Sequence, residues 1–434
     1  MPRQLQKIGL LDHMGGGNLG DDTTQTAVMA NIRSRWPGAI IYGFSMNPPD
    51  TRLRHGIASY PIRRKTWDHP DRHESVEMGP RDKVGAPRQQ RVFSGLRRLI
   101  RAVAIKIPYA IVSEVTFLAK SLYVMRTLDV FVISGGGQLL DSWGGPWAYP
   151  YTIFKWISLA RLAGTKCYLV NVGAGPLKHT LSKFFVRHAL ALANYVSFRD
   201  SDSMSLVRAV GFKGEAQVYP DCVYALEMPP VPRIQKDARN ELVVGMSPMA
   251  YCDPRRYWIQ DQGAYDAFVR KLVVFGAWLT DRHRLTLFST DIWFDSQTLV
   301  KVDEALKSET QSNVTHLLID TPVAIATVET LLSQMSTMDY VITCRFHGVI
   351  FAHLMNIPVI ALSHHPKVRT LMADLGLSEF CIDIDTFDVG LLTTTFTRLV
   401  ADSVAIKARM AEKAALYKSA LSTQFDQLFA PEAI

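Results

Sequence analysis

The chain has 434 residues, is 48% hydrophobic and carries a formal net charge of +8. Its length allows two or three domains with large cores, and its composition excludes a disordered or fibrous protein. The chain has no run of about 18 uncharged apolar residues that could span a bilayer, and its first residues lack the apolar core of a signal peptide. The five cysteines have no Cys-x-x-Cys spacing. We therefore expect a cytoplasmic protein without a disulfide framework or zinc site.

Short apolar runs rich in Val and Ile alternate with stretches of helical period, which predicts parallel sheets covered by helices. One group of predicted strands lies at residues 7–13, 39–45, 128–137, 166–175, 195–200 and 216–221. A second group lies at residues 241–247, 284–290, 313–320, 340–346, 358–363 and 380–385. Between the groups, residues 226–240 combine prolines with mixed charge, as expected of a linker. The prediction is an α/β protein with two Rossmann-like domains, 1–225 and 241–434, whose parallel sheets face a central cleft.

The first predicted strand leads into a Gly-rich loop and a helix, an order in which backbone N–H groups and a helix N-terminus can hold an anion. The glycine spacing around Gly17 and Asn18 fits neither a dinucleotide fingerprint nor a P-loop. Asp21 either caps this helix or accepts a hydrogen bond from a substrate hydroxyl. Because its charge opposes an anion at the same place, we prefer the hydroxyl as its ligand and regard Asp21 as a candidate catalytic residue.

Residues 52–106 contain 14 Lys and Arg against 5 Asp and Glu, so this segment holds more excess positive charge than the whole chain. Its first part is rich in Pro and Gly and predicts a long loop or insertion. From about Val92 the pattern becomes that of an amphipathic helix, in which Arg97, Arg98 and Arg101 lie among apolar residues. This helix either presents a solvated basic face or lies on an anionic membrane surface. No nucleic-acid-binding module accompanies the charge, so we expect no nucleic-acid partner.

Glycine and carboxylate residues follow several later strands of the first domain. Gly136, Gly137 and Gly173 lie in Gly-rich turns, where the missing side chains either allow tight packing or let a ligand approach. Asp141 and Asp221 lie in similar strand-end regions. Doubly wound sheets bind ligands beyond the carboxyl ends of their strands. We therefore regard these five residues as candidate positions for acceptor contacts or loop structure.

Cationic residues follow strands in both halves of the chain. Arg199 either pairs with its neighbouring aspartate on the surface or forms a fork for a carboxylate or phosphate. Arg345 and His347 come directly after one buried strand of the second half, and His365 and Lys367 come after the next. This grouping predicts a site for a small, highly charged anion beside a proton donor. No His and carboxylate set has metal-ligand spacing, so no metal is expected.

Six motifs, taken in order, resemble those of the polysaccharide pyruvyl transferase family. They are MGGGNLGDD, SGGGQLLD, NVGAGPL, SFRDSDS, VYPDCVYAL and RFHGVIFAHLMNIPVIALSHHPKV, and the likeness extends over most of residues 8–225 and 240–378. The resemblance implies a GT-B-like pair of Rossmann domains, with the acceptor on the side of the first and the donor on the side of the second. It also implies phosphoenolpyruvate as co-substrate, no cofactor, and an acceptor sugar in a cell-surface polysaccharide or its undecaprenyl-linked oligosaccharide precursor. Such an acceptor would bring the enzyme to the inner face of the cytoplasmic membrane.

By the same resemblance, Arg199 and Arg345 would bind the donor and His347 would act on it. Phosphoenolpyruvate carries nearly three negative charges, which suit arginine forks and the point charge of Lys367. His347, with an ordinary pKa of about 6.5, could protonate the enol carbon or accept a proton from the sugar hydroxyl. Two other classes share the expected fold. One is a nucleotide-sugar glycosyltransferase, which needs an acidic residue for the ribose that the sequence does not single out, and the other is a non-catalytic glycan-binding protein.

Overall fold

The computed structural model describes residues 6–12, 17–66, 107–142, 144–228, 241–255, 257, 259–310, 315–316 and 327–430. In the first half, strands and helices alternate as β1 (Lys7–Leu11), α1 (Leu19–Arg35), β2 (Ile40–Ser45), α2 (Pro48–His55), β3 (Ser59–Pro61), α3 (Ile107–Met125), β4 (Val130–Ser134), α4 (Tyr149–Ala163), β5 (Lys166–Val172), α5 (Thr180–Leu192), β6 (Tyr195–Phe198), α6 (Ser201–Ala209) and β7 (Gln217–Val218). These strands form one parallel sheet in the order β3-β2-β1-β4-β5-β6-β7.

The second half repeats this alternation. Its elements are β8 (Val243–Ser247), α7 (Gln262–Thr280), β9 (Arg284–Leu287), α8 (Ile292–Thr310), β10 (Thr315–His316), α9 (Val328–Met335), β11 (Tyr340–Thr343), α10 (Phe346–Leu354), β12 (Val359–Ser363), α11 (Pro366–Asp374), β13 (Cys381–Asp383), α12 (Val389–Ala401) and α13 (Ser403–Leu428). The strands form a second parallel sheet in the order β10-β9-β8-β11-β12-β13.

Both sheets have the same topology, in which the strand order reverses once. The reversal lies between β1 and β4 in the first sheet and between β8 and β11 in the second. Doubly wound sheets bind ligands at this switch point, beyond the carboxyl ends of the strands. The predicted α/β architecture of two Rossmann-like domains is confirmed, and the strand ends that carry Asp21, Gly136 and Arg345 lie at the two switch points.

The sequence pattern does not indicate α2 and β3. The expectation of a loop from residue 52 is wrong for residues 52–61, because α2 continues to His55 and β3 then pairs with β2 at the sheet edge. Residues 62–66 belong to no helix or strand, as expected. Pro61 is tolerated in β3 because an edge strand has one unpaired side. The remainder of the basic segment, residues 67–106 with Arg97, Arg98 and Arg101, lies outside the described residues.

Two hydrophobic clusters hold the layers together. One covers the face of the first sheet that carries Leu11 and Phe131, and it packs against α3, α4 and α5. The other joins the opposite face, with Ile8 and Val130, to α1, the second domain and α13. Because this second cluster is continuous between the domains, apolar burial stabilises their contact as well as each domain.

Helix α13 returns from the second domain to the first. Gln424 exchanges hydrogen bonds of 3.0 and 2.8 Å with Asn171 of β5, and Phe429 packs edge-on to Trp36 at 5.1 Å. The end of the chain, assigned to the second domain from the sequence, therefore covers part of the first sheet. No single described helix meets the length and hydropathy needed to cross a bilayer. Helices α12 and α13 reach that threshold only as a pair bent by 77°.

Candidate active site

The start of α1 lies against the second domain. Gly17 turns the chain with a φ of 69°, and the side chain of Asn18 then caps the helix by accepting a hydrogen bond from the N–H of Gly20 at 3.0 Å. The N–H of Leu19 donates to the carbonyl of Thr290, beyond the end of β9, at 2.9 Å. Gly17 and Asn18 therefore shape the helix start at the contact between the domains.

His347, in the first turn of α10, packs directly on α1. A Cβ on Gly20 would lie 2.6 Å from the Cβ of His347 and closer still to its ring, so only glycine fits there. The Nε2 atom of His347 is buried and has no hydrogen-bond partner among the described residues. Burial, and then the charges of Arg199 and Lys367, hold the pKa of His347 well below its usual 6.5. The imidazole is therefore neutral near pH 7.

Asp21 is half-buried in the first turn of α1. Burial, together with the charges of Asp22 and Asp291, raises its pKa to about 7, although nearby cations act in the opposite direction. Lys367, on α11, is affected in the reverse sense, because burial and the charge of Arg199 lower its pKa to about 8. A carboxyl group of the first domain and an amine of the second thus influence each other across the cleft, both with pKa values close to neutrality.

Two cations from different domains share one aromatic ring. The guanidinium of Arg199, after β6, stacks over Phe346 at 4.6 Å from the ring centroid, and Nζ of Lys367 lies 5.5 Å from the same centroid. Nη1 of Arg199 donates to Asp221 at 3.4 Å. Its Nε lies 3.6 Å from Asp200 and is buried without a hydrogen-bond partner in the described part of the chain. The structure therefore brings Arg199, Asp221 and Lys367 together.

Gly173, just after β5, lets Arg199 lie against the backbone. A Cβ on Gly173 would lie 2.7 Å from Nε of Arg199, and a Cβ on Gly137 would lie 3.9 Å from its Nη2. Gly136 has a φ of 63°, and a Cβ there would lie 2.9 Å from Oδ1 of Asp12, a buried carboxylate that the sequence pattern does not indicate. A side chain at Gly173 would displace the guanidinium from its place over the ring.

A cavity of about 170 Å³ opens beside Arg199 and Lys367. Phe346 lines it, and its other walls include Asp221, Tyr219, Tyr224, Thr370, Asp374 and Tyr417. Sequence reasoning missed Phe346, although it stands between two predicted site residues in the Arg-x-His motif. Its position in that motif is the one signal that could have indicated it.

A sequence profile of polysaccharide pyruvyl transferases matches residues 18–366, which is most of the chain. The chain belongs to the polysaccharide pyruvyl transferase family. The part that matches this family includes Asp21, Arg199 and His347, and it ends one residue before Lys367. A sequence comparison with curated proteins finds no match.

Solved structures share the fold of this chain. The spinosyn rhamnosyltransferase SpnG aligns with a TM-score of 0.51 and 12% identity, covering 97% of this chain and 99% of its own. The S. aureus MnaA–UDP co-structure aligns with a TM-score of 0.53 and 11% identity, covering 97% and 94%. Apo OtsA aligns with a TM-score of 0.53 and 8% identity, covering 99% of each chain. At these identities the likeness concerns the fold alone, which is GT-B-like as predicted.

The guanidinium of Arg345 binds carboxylates of the protein itself. Its Nε and Nη2 donate to the two carboxylate oxygens of Asp295 at 2.7 and 2.6 Å, and Asp291 lies 3.5 Å from Nη2. Asp295 also accepts the N–H of Ala250 at 3.0 Å, which holds the carboxylate in place. Arg345 therefore ties the start of α10, where His347 lies, to α8. Sequence reasoning missed Asp295, because nothing in the local pattern relates it to a residue 50 positions away.

Two further predicted residues have structural partners. Asp141 accepts hydrogen bonds from the N–H groups of Lys178 and His179, both at 2.8 Å; although burial opposes them, these bonds lower its pKa. His365 caps α11 by accepting the N–H of Lys367 at 3.3 Å, and burial and that lysine lower its pKa to about 4. Asp141 thus anchors a loop, and His365 caps the helix start that carries Lys367. Among the described residues, no group of three or more His, Cys, Asp or Glu could hold a metal ion.

Proposed function

We propose that this protein transfers the pyruvyl group of phosphoenolpyruvate to two hydroxyls of one sugar, forming a pyruvate ketal on a cell-surface polysaccharide or its lipid-linked precursor. The observation that supports this most is the convergence of Arg199 and Lys367 on Phe346, beside a cavity of about 170 Å³. A small donor with nearly three negative charges suits cations that are largely removed from solvent.

The donor would bind between the two domains. Nε of Arg199 has no hydrogen-bond partner among the described residues and would donate to a phosphate or carboxylate oxygen, while Lys367 would supply a point charge. An anion beside Lys367 favours its charged form, so binding would raise its pKa from about 8. Because Nε and Nη2 of Arg345 are held by Asp295, any donor contact of that residue falls to Nη1.

Ketal formation adds one proton to a carbon of phosphoenolpyruvate and removes one proton from each of two sugar hydroxyls. A proton added to the CH₂ carbon of the enol makes a methyl group and leaves a cationic C2. The first sugar hydroxyl bonds to C2 and loses its proton to a base. The C2–O bond to phosphate then breaks, phosphate leaves with the electron pair, and the second hydroxyl bonds to C2 while its proton passes to the departing phosphate.

Asp21 and His347 have the protonation states that these transfers need. With a pKa of about 7, Asp21 keeps a protonated fraction near neutral pH and can act as the acid toward the enol carbon. His347 is neutral and has an unpaired Nε2 among the described residues, so it can act as the base toward the sugar hydroxyl. The two belong to the helix starts that meet at Gly20.

Mass spectrometry of glycans incubated with phosphoenolpyruvate tests this proposal. Lipid-linked and free oligosaccharides extracted from the source cells are expected to gain the mass of a pyruvyl ketal, with one inorganic phosphate released per ketal. Thermal shifts with phosphoenolpyruvate and with UDP-sugars are measured in parallel. Stabilisation by UDP-sugars alone, with transfer of a sugar, would instead indicate a glycosyltransferase. Binding of glycan without any phosphate release would indicate a non-catalytic protein.

A further inference from the structure

Helix α3 presents an apolar face to solvent. Five large apolar side chains on it are between 58% and 73% exposed: Tyr109, Ile111, Val112, Val115 and Tyr123. Most of these side chains recur at helical spacing, so they share one side of the helix. A surface helix normally turns its polar side outward, and a contiguous exposed apolar face marks an interaction surface.

The inner side of α3 already packs against the first domain. Phe117 packs against Trp156 of α4 at 6.4 Å, and Met125 is fully buried. Arg64, which follows β3, pairs with Glu114 at 3.7 Å and so neutralises the one acidic residue of the helix. The outward apolar face is therefore additional to the contacts that hold α3 in place.

The charge around α3 indicates what covers this face. Residues 83–106, which lead directly into the helix, contain seven Lys and Arg and no Asp or Glu. Lys120 and Arg126 add exposed positive charge on α3 and just beyond it. Tyrosines near both ends of the face, Tyr109 and Tyr123, are typical of side chains at a membrane–water interface. Apolar, aromatic and basic residues in this combination match an anionic lipid surface.

A second copy of the chain is a poorer occupant. In a two-fold symmetric dimer the same face contacts itself, so the exposed Lys120 and Arg126 of both copies would come to one interface. Like charges repel there, whereas anionic headgroups attract both residues.

We propose that α3 lies in the plane of an anionic membrane, with its apolar face among the acyl chains. Helix α3 packs on α4 through Phe117 and Trp156. Resting on the proposed function, this docking would present the cleft to a lipid-linked acceptor.

Vesicle sedimentation tests the docking. The full chain is mixed with neutral phosphatidylcholine vesicles and with vesicles containing phosphatidylglycerol, at low and high salt. A variant with Val112→Ser and Val115→Ser is expected to bind anionic vesicles about tenfold more weakly or worse. The matched control, Val404→Ser and Leu416→Ser, alters exposed apolar residues of α13 and is expected to bind like the wild type. Equal binding by the two variants, or equal recovery with neutral vesicles, overturns the proposal.

A fluorescent variant identifies other occupants. The chain has eight tryptophans of its own, so the emission of the wild type is subtracted from that of Tyr109→Trp. The added indole is expected to emit as a solvated indole without vesicles and to shift to the blue when anionic vesicles are added. A blue-shifted emission before vesicles are added means that protein already covers the apolar face of α3. If gel filtration shows a dimer that dissociates in the Val112 and Val115 variant, a second copy of the chain covers that face. Donor binding, measured by calorimetry without vesicles, is expected to be unchanged in the α3 variant. A failure of docking is therefore distinguishable from a failure of the proposed function.

Discussion

Among single residues, His347 has the most specific chemical assignment. Its ring is held against Gly20, and its buried Nε2 has no hydrogen-bond partner within the described ranges. His353, in the same helix, shows the opposite arrangement, with Nδ1 bonded to the hydroxyl of Tyr224 and Nε2 to the carbonyl of Met410, both at 2.9 Å. Both ring nitrogens of His353 are therefore used within the fold, whereas Nε2 of His347 has no such partner among the described residues.

We expect His347→Gln to lower turnover by roughly two to four orders of magnitude, because glutamine can form a hydrogen bond but cannot accept the proton. Donor affinity should change little, since the cations supply the attraction. His353→Gln is the matched control, and we expect it to lower the melting temperature while the folded protein keeps its turnover. Phosphate release, donor binding and melting are measured on both variants. Turnover of His347→Gln within a few-fold of wild type would remove this residue from the proton transfers.

The guanidinium of Arg199 has planar hydrogen-bond donors and is stacked on an aromatic ring. We expect Arg199→Lys to weaken phosphoenolpyruvate binding by about tenfold or more, because lysine keeps the charge but loses the planar donors and the stacking on Phe346. Arg208→Lys is a suitable control, since Arg208 stacks over Phe212 at 5.2 Å in the same domain but does not line the cavity. Calorimetric titration gives both dissociation constants. Identical values for the two variants would show that the fork of Arg199 does not hold the donor.

Among the elements, the contact between α1 and α10 leaves no space for a side chain at Gly20. Gly20→Ala places a methyl group on His347, so either the ring or the two helix starts must move apart. A displacement of about 1 Å can cost about a hundredfold in rate, and we expect a loss of that order in turnover. Gly263→Ala, in the first turn of α7, adds a methyl group that meets only Asp261 at 3.4 Å and should be neutral. Phosphate release compares them, and unchanged turnover of Gly20→Ala would mean that this contact is not kept during catalysis.

The elements also show what the sequence could and could not predict. Buried parallel strands are continuous Val- and Ile-rich runs, so β4, β5 and β11 were predictable from composition alone. The short edge strand β3 has no such run and was missed. Arg199, His347 and Lys367 were indicated by their positions at strand ends. The bidentate pair of Arg345 with Asp295 was not, because it joins the start of α8 to a residue 50 positions later in the chain.

For the whole molecule, the cleft makes stability depend on pH. Asp21 has a pKa of about 7 in the folded protein against about 3.9 in an unfolded chain, so the folded state binds more protons between these values. Its contribution to stability is therefore present at low pH and is lost as pH rises toward and through 7. Lys367, with its pKa lowered to about 8, acts in the opposite direction only above that pH.

We expect Asp21→Asn to remove this dependence. The melting temperature of the variant minus that of the wild type should increase from pH 5 to pH 8, because only the wild type must ionise a buried carboxyl group over that range. Activity should fall at the same time if Asp21 is the acid. Differential scanning calorimetry at several pH values measures the difference. Parallel curves for the two proteins would show that Asp21 does not titrate between pH 5 and 8.

Helix α13 also determines when the first domain can be completed during synthesis. Gln424 follows Asn171 by 253 residues, and at about 5–20 residues per second the ribosome needs roughly ten seconds to a minute to make the intervening chain. Throughout that time the surface around Trp36 has no Phe429 to cover it. We therefore expect ribosome-bound chains that stop before Ser403 to be captured by chaperones more strongly than chains that include α13.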